Sequence, residues 1–349
     1  MSVPKSKLVT LEIGSSWTRA FLIDHEKGNK LKIASHDFLP TSTGDLKFTV
    51  EALFKKLSIN PKENTLLVTS SLDEAKAISD ELKGIFVPFP EVNKNVLNYL
   101  KVVGYPACTL LDAGVGLFFG NYKASLVGSY LTFPIGEVEL ENHLANHTLH
   151  PQTIPETPWE VEINEALMRV IFAEKSANFG AANNVLVTGS LIAAHPKMSR
   201  VALVILDILG PNTIADVIVD KYSFSNCWGA AVTKYRELVD FEIDFLEKLG
   251  SFVSLGGVGR VGLDYGLKNI QEVNVAENEI ALIPATKEQK VEVELGYGRE
   301  KRRFKTSGGN LGILIDGRLK PLPIAFGSSA SQKAMVKWAE AIEKVEIIR

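Results

Sequence analysis

Leu8-Val9-Thr10-Leu11-Glu12-Ile13-Gly14-Ser15-Ser16-Trp17-Thr18-Arg19-Ala20-Phe21-Leu22-Ile23-Asp24 is the stretch on which the fold turns. An apolar run ends near an acid, a turn of small residues follows, and a second apolar run leads away. The pattern recurs at Cys108-Thr109-Leu110-Leu111-Asp112-Ala113-Gly114-Val115-Gly116-Leu117-Phe118-Phe119-Gly120-Asn121-Tyr122. A plain hairpin needs no acid at the strand end followed by residues without bulk. A phosphate–metal site does, because hydroxyls and backbone N–H groups of a tight turn reach phosphate oxygens and a nearby carboxylate holds hydrated Mg²⁺. Two such turns facing each other make a cleft that grips a nucleotide from both sides.

Working outward, Lys7–Ile13, Thr18–Asp24 and Lys30–Phe38 read as a β-meander, with a turn over His25-Glu26-Lys27-Gly28-Asn29. Phe48–Leu57 has helical spacing, Thr65–Thr69 is a short strand, Asp73–Leu82 is a helix, and Val87-Pro88-Phe89-Pro90 reads as a linker. Leu110–Asp112, Leu117–Tyr122 and Ala124–Phe133 read as a second meander, which suggests an internal duplication. A polar helix through His150, a proline-punctuated loop over 151–158, a helix over Trp159–Glu174, and alternating strands and helices to Val239 complete an α/β pattern. Gly256, Gly257, Gly259, Gly262 and Gly266 then break the chain. Alternating runs at Glu279–Pro284, Lys290–Leu295 and Leu311–Ile315 read as a small all-β domain over 255–325, followed by a closing helix. The expected division is 1–105 and 106–250 as two lobes, 251–330 as the β domain and 331–349 as the C-terminal helix.

The 349 residues provide ample core, and a net charge of −3 gives no footprint for nucleic acid. Arg299-Glu300-Lys301-Arg302-Arg303 reads as a solvated face. Cys108 and Cys227 read as core thiols with no disulfide framework, and no apolar run reaches the ~20 residues of a membrane span, so a cytoplasmic protein without membrane partner is expected.

Glu12–Thr18 resembles the first phosphate motif of the actin, heat-shock chaperone and sugar-kinase superfamily. Asp112-Ala113-Gly114-Val115-Gly116 resembles its second phosphate motif, and Val185-Leu186-Val187-Thr188-Gly189-Ser190 its adenosine motif, in the superfamily's order. The narrower pattern of His150–Pro158, Leu206-Asp207-Ile208-Leu209 and Gly308–Pro323 is similar to the glutamate mutase accessory family. The resemblance implies duplicated ribonuclease-H-like (actin-like ATPase) lobes with a small C-terminal β domain. It also implies an ATP-binding accessory or reactivating protein, of chaperone type, for an adenosylcobalamin-dependent carbon-skeleton mutase. ATP with Mg²⁺ would lie on Gly14, Ser15, Ser16, Thr18, Gly114, Gly116, Gly189 and Ser190. Glu12 and Asp112 would hold the metal and act in any hydrolysis.

The chain departs from the family pattern at several points. Glu12 stands where an Asp is usual, no hydroxyl or acid follows Gly116, and the adenosine motif has one glycine where two are usual. These changes bear on hydrolysis more than on binding and leave a weak ATPase or a pseudo-ATPase open. An actin-like scaffold, assembling with copies of itself, is the rival reading. The pattern has no Walker Lys-Ser/Thr, and the Gly257–Gly262 run lacks the strand and helix of a dinucleotide fingerprint, so it reads as an interdomain loop. His143, His147 and His150 have helical spacing suited to Zn²⁺, but without His-Glu-x-x-His they read as a polar helix face. Trp17 is unexpected in a phosphate turn unless its ring points away.

Overall fold

The computed structural model describes residues 7–14, 17–26, 30–41, 45–114, 124–149, 153–176, 184–240, 242–266, 270–297, 300–319 and 329–346. The first lobe runs β1 (Leu8–Ile13), β2 (Trp17–Glu26), β3 (Lys30–Pro40), α1 (Leu46–Lys56), β4 (Thr65–Ser70), α2 (Ala75–Glu81), β5 (Ile85–Pro88) and α3 (Phe89–Val102). The second runs β6 (Cys108–Asp112), α4 (Ala124–Gly128), α5 (Glu137–Leu149), α6 (Pro158–Ser176), β7 (Asn184–Thr188), α7 (Ser190–Ala193), α8 (Met198–Ile208), β8 (Thr213–Asp220) and α9 (Ser225–Lys234). There follow β9 (Glu242–Ile243), β10 (Leu246–Ser254), β11 (Gly259–Asp264), β12 (Ile270–Val275), β13 (Ile280–Ile283), β14 (Lys290–Tyr297), β15 (Glu300–Ser307), β16 (Ile313–Asp316) and α10 (Ser329–Glu346).

The first sheet has the order β5-β4-β1-β2-β3-β9. β1, β2 and β3 form an antiparallel meander, and β4 and β5 extend it in parallel on the far side of β1. This is the ribonuclease-H-like arrangement. β1 is central, with most of its side chains buried on both faces, which explains why Leu8–Ile13 reads as a nearly continuous apolar run. Asp45 caps α1 through Phe48 N–H at 2.8 Å. The proline pair read as a linker instead joins strand to helix: β5 ends at Pro88 and Pro90 sits in the first turn of α3, where a missing N–H costs nothing.

The second sheet has the order β13-β16-β10-β8-β7-β6, with β6, β7 and β8 parallel. The architecture is thus the expected two-lobed, actin-like α/β fold with a further small β-sheet. The expected second meander needs correction. Ala124–Phe133 is not a strand: Ala124–Gly128 is helical, with Ala124 and Val127 buried against the core. Leu117–Tyr122 lies outside the described residues.

The C-terminal strands also do not form a self-contained unit. β11, β12, β14 and β15 make a four-stranded antiparallel sheet, and Gly259–Gly262, read as loop, belongs to it. β16 pairs in parallel with β10 and β13 pairs with β16, so both join the second lobe's sheet. β10 itself runs across the expected boundary at 250/251. Val253, Ile313 and Ile315 of one sheet share a core with Val261, Val291 and Val293 of the other, and this shared apolar surface is why the segment does not stand apart.

The lobes meet where α3 crosses α9. A Cβ on Gly229 would stand 2.6 Å from Val92 O and 2.7 Å from the Val96 side chain. Trp228 packs edge-on to Tyr99 beside this crossing, with ring centroids 5.2 Å apart.

Candidate functional site

Three acids sit at the C-terminal ends of strands: Glu12 near the end of β1, Asp112 at the end of β6 and Asp220 at the end of β8. In open α/β sheets this edge is where ligands bind. Glu12 is pushed above the usual carboxylate range. Burial is the main cause, and the charges of Asp112 and Asp220 add to it; Arg19 and a hydrogen bond from Asn226 work the other way. Contacts link the two strand ends: Asn226, on Glu12, follows Ser225, which with Thr188 holds Asp220, and Thr188 O accepts from the N–H of Ala113, next to Asp112.

Glu12 is not an open ligand. Its Oε1 accepts from Asn226 Nδ2 at 2.7 Å, and its Oε2 lies 3.4 Å from Arg19 Nη1. Arg19 is opposite Glu12 in the β1–β2 register, and its guanidinium also donates to Ser223 O at 3.2 Å and to Ser223 Oγ. Ser223 and Asn226 belong to the segment after β8, so these bonds cross from one lobe to the other. Asp220 is wholly buried. Its Oδ2 accepts from Thr188 Oγ1 (2.8 Å), Ser225 N (2.7 Å) and Ser225 Oγ (2.6 Å), and its Oδ1 from Tyr222 N at 3.2 Å.

The turns are tight. Gly14 N–H donates to Trp17 O at 2.8 Å, closing the loop between β1 and β2; Ser15 and Ser16 lie outside the described residues. The Thr18 hydroxyl pairs with Thr41 Oγ1 at 3.1 Å, and Thr41 Oγ1 donates to Gly14 O at 2.7 Å. Thr18 thus braces the turn from beneath. Trp17 does point away: its ring meets Phe38 at 4.3 Å in a T-shaped pair.

On the other side, Ala113 N–H donates to Thr188 O at 2.8 Å and Leu191 N–H to Ala113 O at 3.3 Å, zipping the turn after β6 to the turn after β7. Gly189 has φ +108°, and a Cβ there would stand 2.4 Å from the Ala113 carbonyl carbon and 2.6 Å from Asp112 Oδ1. Its glycine is required by this backbone approach. Ser190 is buried at the start of α7, a Cβ on Gly114 would stand 3.2 Å from Asp112 Oδ1, and Gly116 lies outside the described residues.

Arg19, Asp220, Ser223 and Asn226 are site residues that the sequence reading missed. Arg19 was visible as a charged residue inside a buried strand pattern. Asp220 ends β8 and Ser223 and Asn226 follow it, and only the fold brings these three to this place.

The residues present do not fit a divalent metal at Glu12. Both oxygens of Glu12 are engaged, Asp220 is saturated with donors, and among the described residues no three His, Cys, Asp or Glu side chains are grouped so as to hold a metal ion. The same holds for the histidines. His143 meets His147 edge-on at 5.4 Å and Trp159 at 5.1 Å, and His150 lies outside the described residues. Both cysteines are thiols held protonated by burial, Cys108 pushed up to about 12 and Cys227 well above its usual value.

A separate cleft of about 830 Å³ opens between the α3 end, the β9–β10 turn and the small sheet, floored by Lys248, Asp216 and Ser307. Among the described residues no helix is long and apolar enough to cross a membrane.

No protein-family model and no curated protein sequence matches the chain. Several solved structures are similar in fold. Component A of the (R)-2-hydroxyglutaryl-CoA dehydratase of Acidaminococcus fermentans is 11% identical with a TM-score of 0.41, over 68% of this chain and 100% of that one. The activator of the 2-hydroxyisocaproyl-CoA dehydratase of Clostridium difficile, with bound ADPNP, is 12% identical with a TM-score of 0.37, over 66% and 95%. A ROK family glucokinase of Streptomyces griseus, in complex with glucose and AMPPNP, is 9% identical with a TM-score of 0.38, over 65% and 98%. The likeness is distant and concerns the fold alone.

Proposed function

We propose that the chain binds a nucleoside triphosphate between the Gly14–Thr18 and Asp112–Gly116 turns and serves as an accessory protein to a partner enzyme. The observation that supports this reading is the chain of contacts from Glu12 through Asn226, Ser225, Asp220 and Thr188 to Ala113, beside Asp112. Phosphoryl binding needs positioned donors and charge control more than a covalent group. The Glu12–Asn226 and Arg19–Ser223 bonds tie the walls together, so a ligand that pries or tightens them changes the lobe geometry a partner would meet.

With Glu12 engaged and hydroxyls absent after Gly116, the reading is of binding with hydrolysis weak or lost. The partner class, an adenosylcobalamin-dependent carbon-skeleton mutase, rests on the sequence resemblance to the glutamate mutase accessory family. The test is thermal: millimolar ATP raises the melting temperature, and Asp112→Ala removes the rise. An unchanged melting temperature with ATP overturns the nucleotide reading. The partner half is tested by adding the chain and ATP to a cobamide mutase that has lost activity through its damaged cofactor; no recovery of turnover removes that assignment.

A further inference from the structure

We propose that Arg19 is a built-in counter-ion occupying the place of a divalent metal in this cleft, so that any polyphosphate bound there is bound metal-free. The inference rests on the reading above only for the polyphosphate; the exclusion of metal at Glu12 stands on the geometry of Glu12, Arg19 and Asn226.

The position of Arg19 is set by the sheet. It faces Glu12 directly in the β1–β2 ladder, one of six consecutive pairs from Leu8↔Ile23 to Ile13↔Thr18. A cross-strand pair on one face is held close by the backbone, so this cation does not depend on a wandering side chain to arrive. Only 9% of Arg19 is exposed, and Ser223 fixes its Nη1 through both a carbonyl and a hydroxyl. A guanidinium stays charged at any ordinary pH, and in a desolvated setting its field acts strongly on its neighbours.

A magnesium ion needs near-octahedral oxygen ligands, commonly one or two carboxylates with waters and phosphate. At this site the Glu12 oxygens are taken by Arg19 and Asn226, and Asp220 receives four hydrogen bonds. A second cation beside Glu12 would face a fixed guanidinium of like charge. The exchange of Asp for Glu at this position fits the same picture: the extra methylene carries the carboxylate outward to where Asn226 of the other lobe meets it.

The test is a Mn²⁺ titration of the purified chain followed by electron paramagnetic resonance. Wild type is expected to show no saturable Mn²⁺ binding, and Arg19→Met is expected to create a site that the added change Glu12→Gln removes. Saturable binding by wild type that is lost in Glu12→Gln overturns the inference, and this arm decides even where Arg19→Met does not fold. Calorimetry with ATP supplies the second arm: equal affinity in Mg²⁺ and in EDTA supports the inference, and a loss of about tenfold or more in EDTA overturns it. Failure of ATP to bind under either condition sinks the nucleotide reading and leaves the Mn²⁺ titration to decide the role of Arg19.

Discussion

Arg318 Nη1 lies 2.7 Å from Asp207 Oδ1, joining two segments 111 residues apart in the protein interior. Arg318 is wholly buried, holds both oxygens of Asp316 as well, and lies under the Trp338 ring at 4.7 Å. Asp207 in turn accepts from Arg169 Nε at 2.7 Å. Asp207→Asn therefore leaves two buried guanidinium groups short of charge. It is expected to cost about 3–5 kcal/mol, read as a lower urea midpoint. An unchanged midpoint would show that the network contributes nothing to stability.

Asn226→Ala removes the donor that reaches across to Glu12. The expected loss is about 1–3 kcal/mol, the cost of leaving a buried acceptor short of a partner. The same change is expected to raise the Glu12 pKa further, visible by carboxyl NMR titration.

The pH dependence of Glu12 has a definite sign. Its folded pKa lies above 4.5, so the fold favours the protonated form. The stability from that preference is full below the unfolded value and is lost as pH rises through the folded one. Glu12→Gln is expected to abolish this decline. Denaturant midpoints of the two proteins, measured from pH 4 upward, should diverge with rising pH; parallel curves would refute the assignment.

His147 behaves in the opposite sense. Burial and the neighbouring His143 press its pKa down to about 4, against a small upward pull from Glu160. The neutral ring is favoured, so stability is full above 6.5 and falls as pH drops toward about 4. The loss amounts to about 3 kcal/mol at about 1.4 kcal/mol per pKa unit. His147→Phe, compared with wild type across this window, is expected to flatten the curve.

Gly229→Ala places a methyl 2.6 Å from Val92 O, against backbone that has no room to yield. Overpacking at this crossing is expected to cost about 1–3 kcal/mol, measured by thermal or chemical denaturation.

Much of the first lobe was legible because its elements carry plain signals: apolar runs with turn residues between them in the meander, and helical spacing in α1. Glu12 and Asp112 stand out in the sequence because each is an acid near a strand end with small residues after it. The second lobe was harder. Ala124–Gly128 is too short for helical periodicity to stand out, and its apolar residues suit a strand as well. Strands β13 and β16 carry good strand signals, but their choice of sheet depends on the shared core around Val253 and Ile313, which local sequence does not encode. Arg19 was harder to place for a related reason: besides Glu12 across the ladder, its guanidinium is held by Ser223, 204 residues away.

The crossing at Gly229 also limits how the molecule can move. Where one helix presses its bare main chain on another, longitudinal sliding would drive the Val92 and Val96 side chains into the next turn, whereas rotation about the touching point keeps that contact. Rearrangement of the halves is therefore expected to be a swivel about a pivot at Gly229, with displacement growing with distance from it.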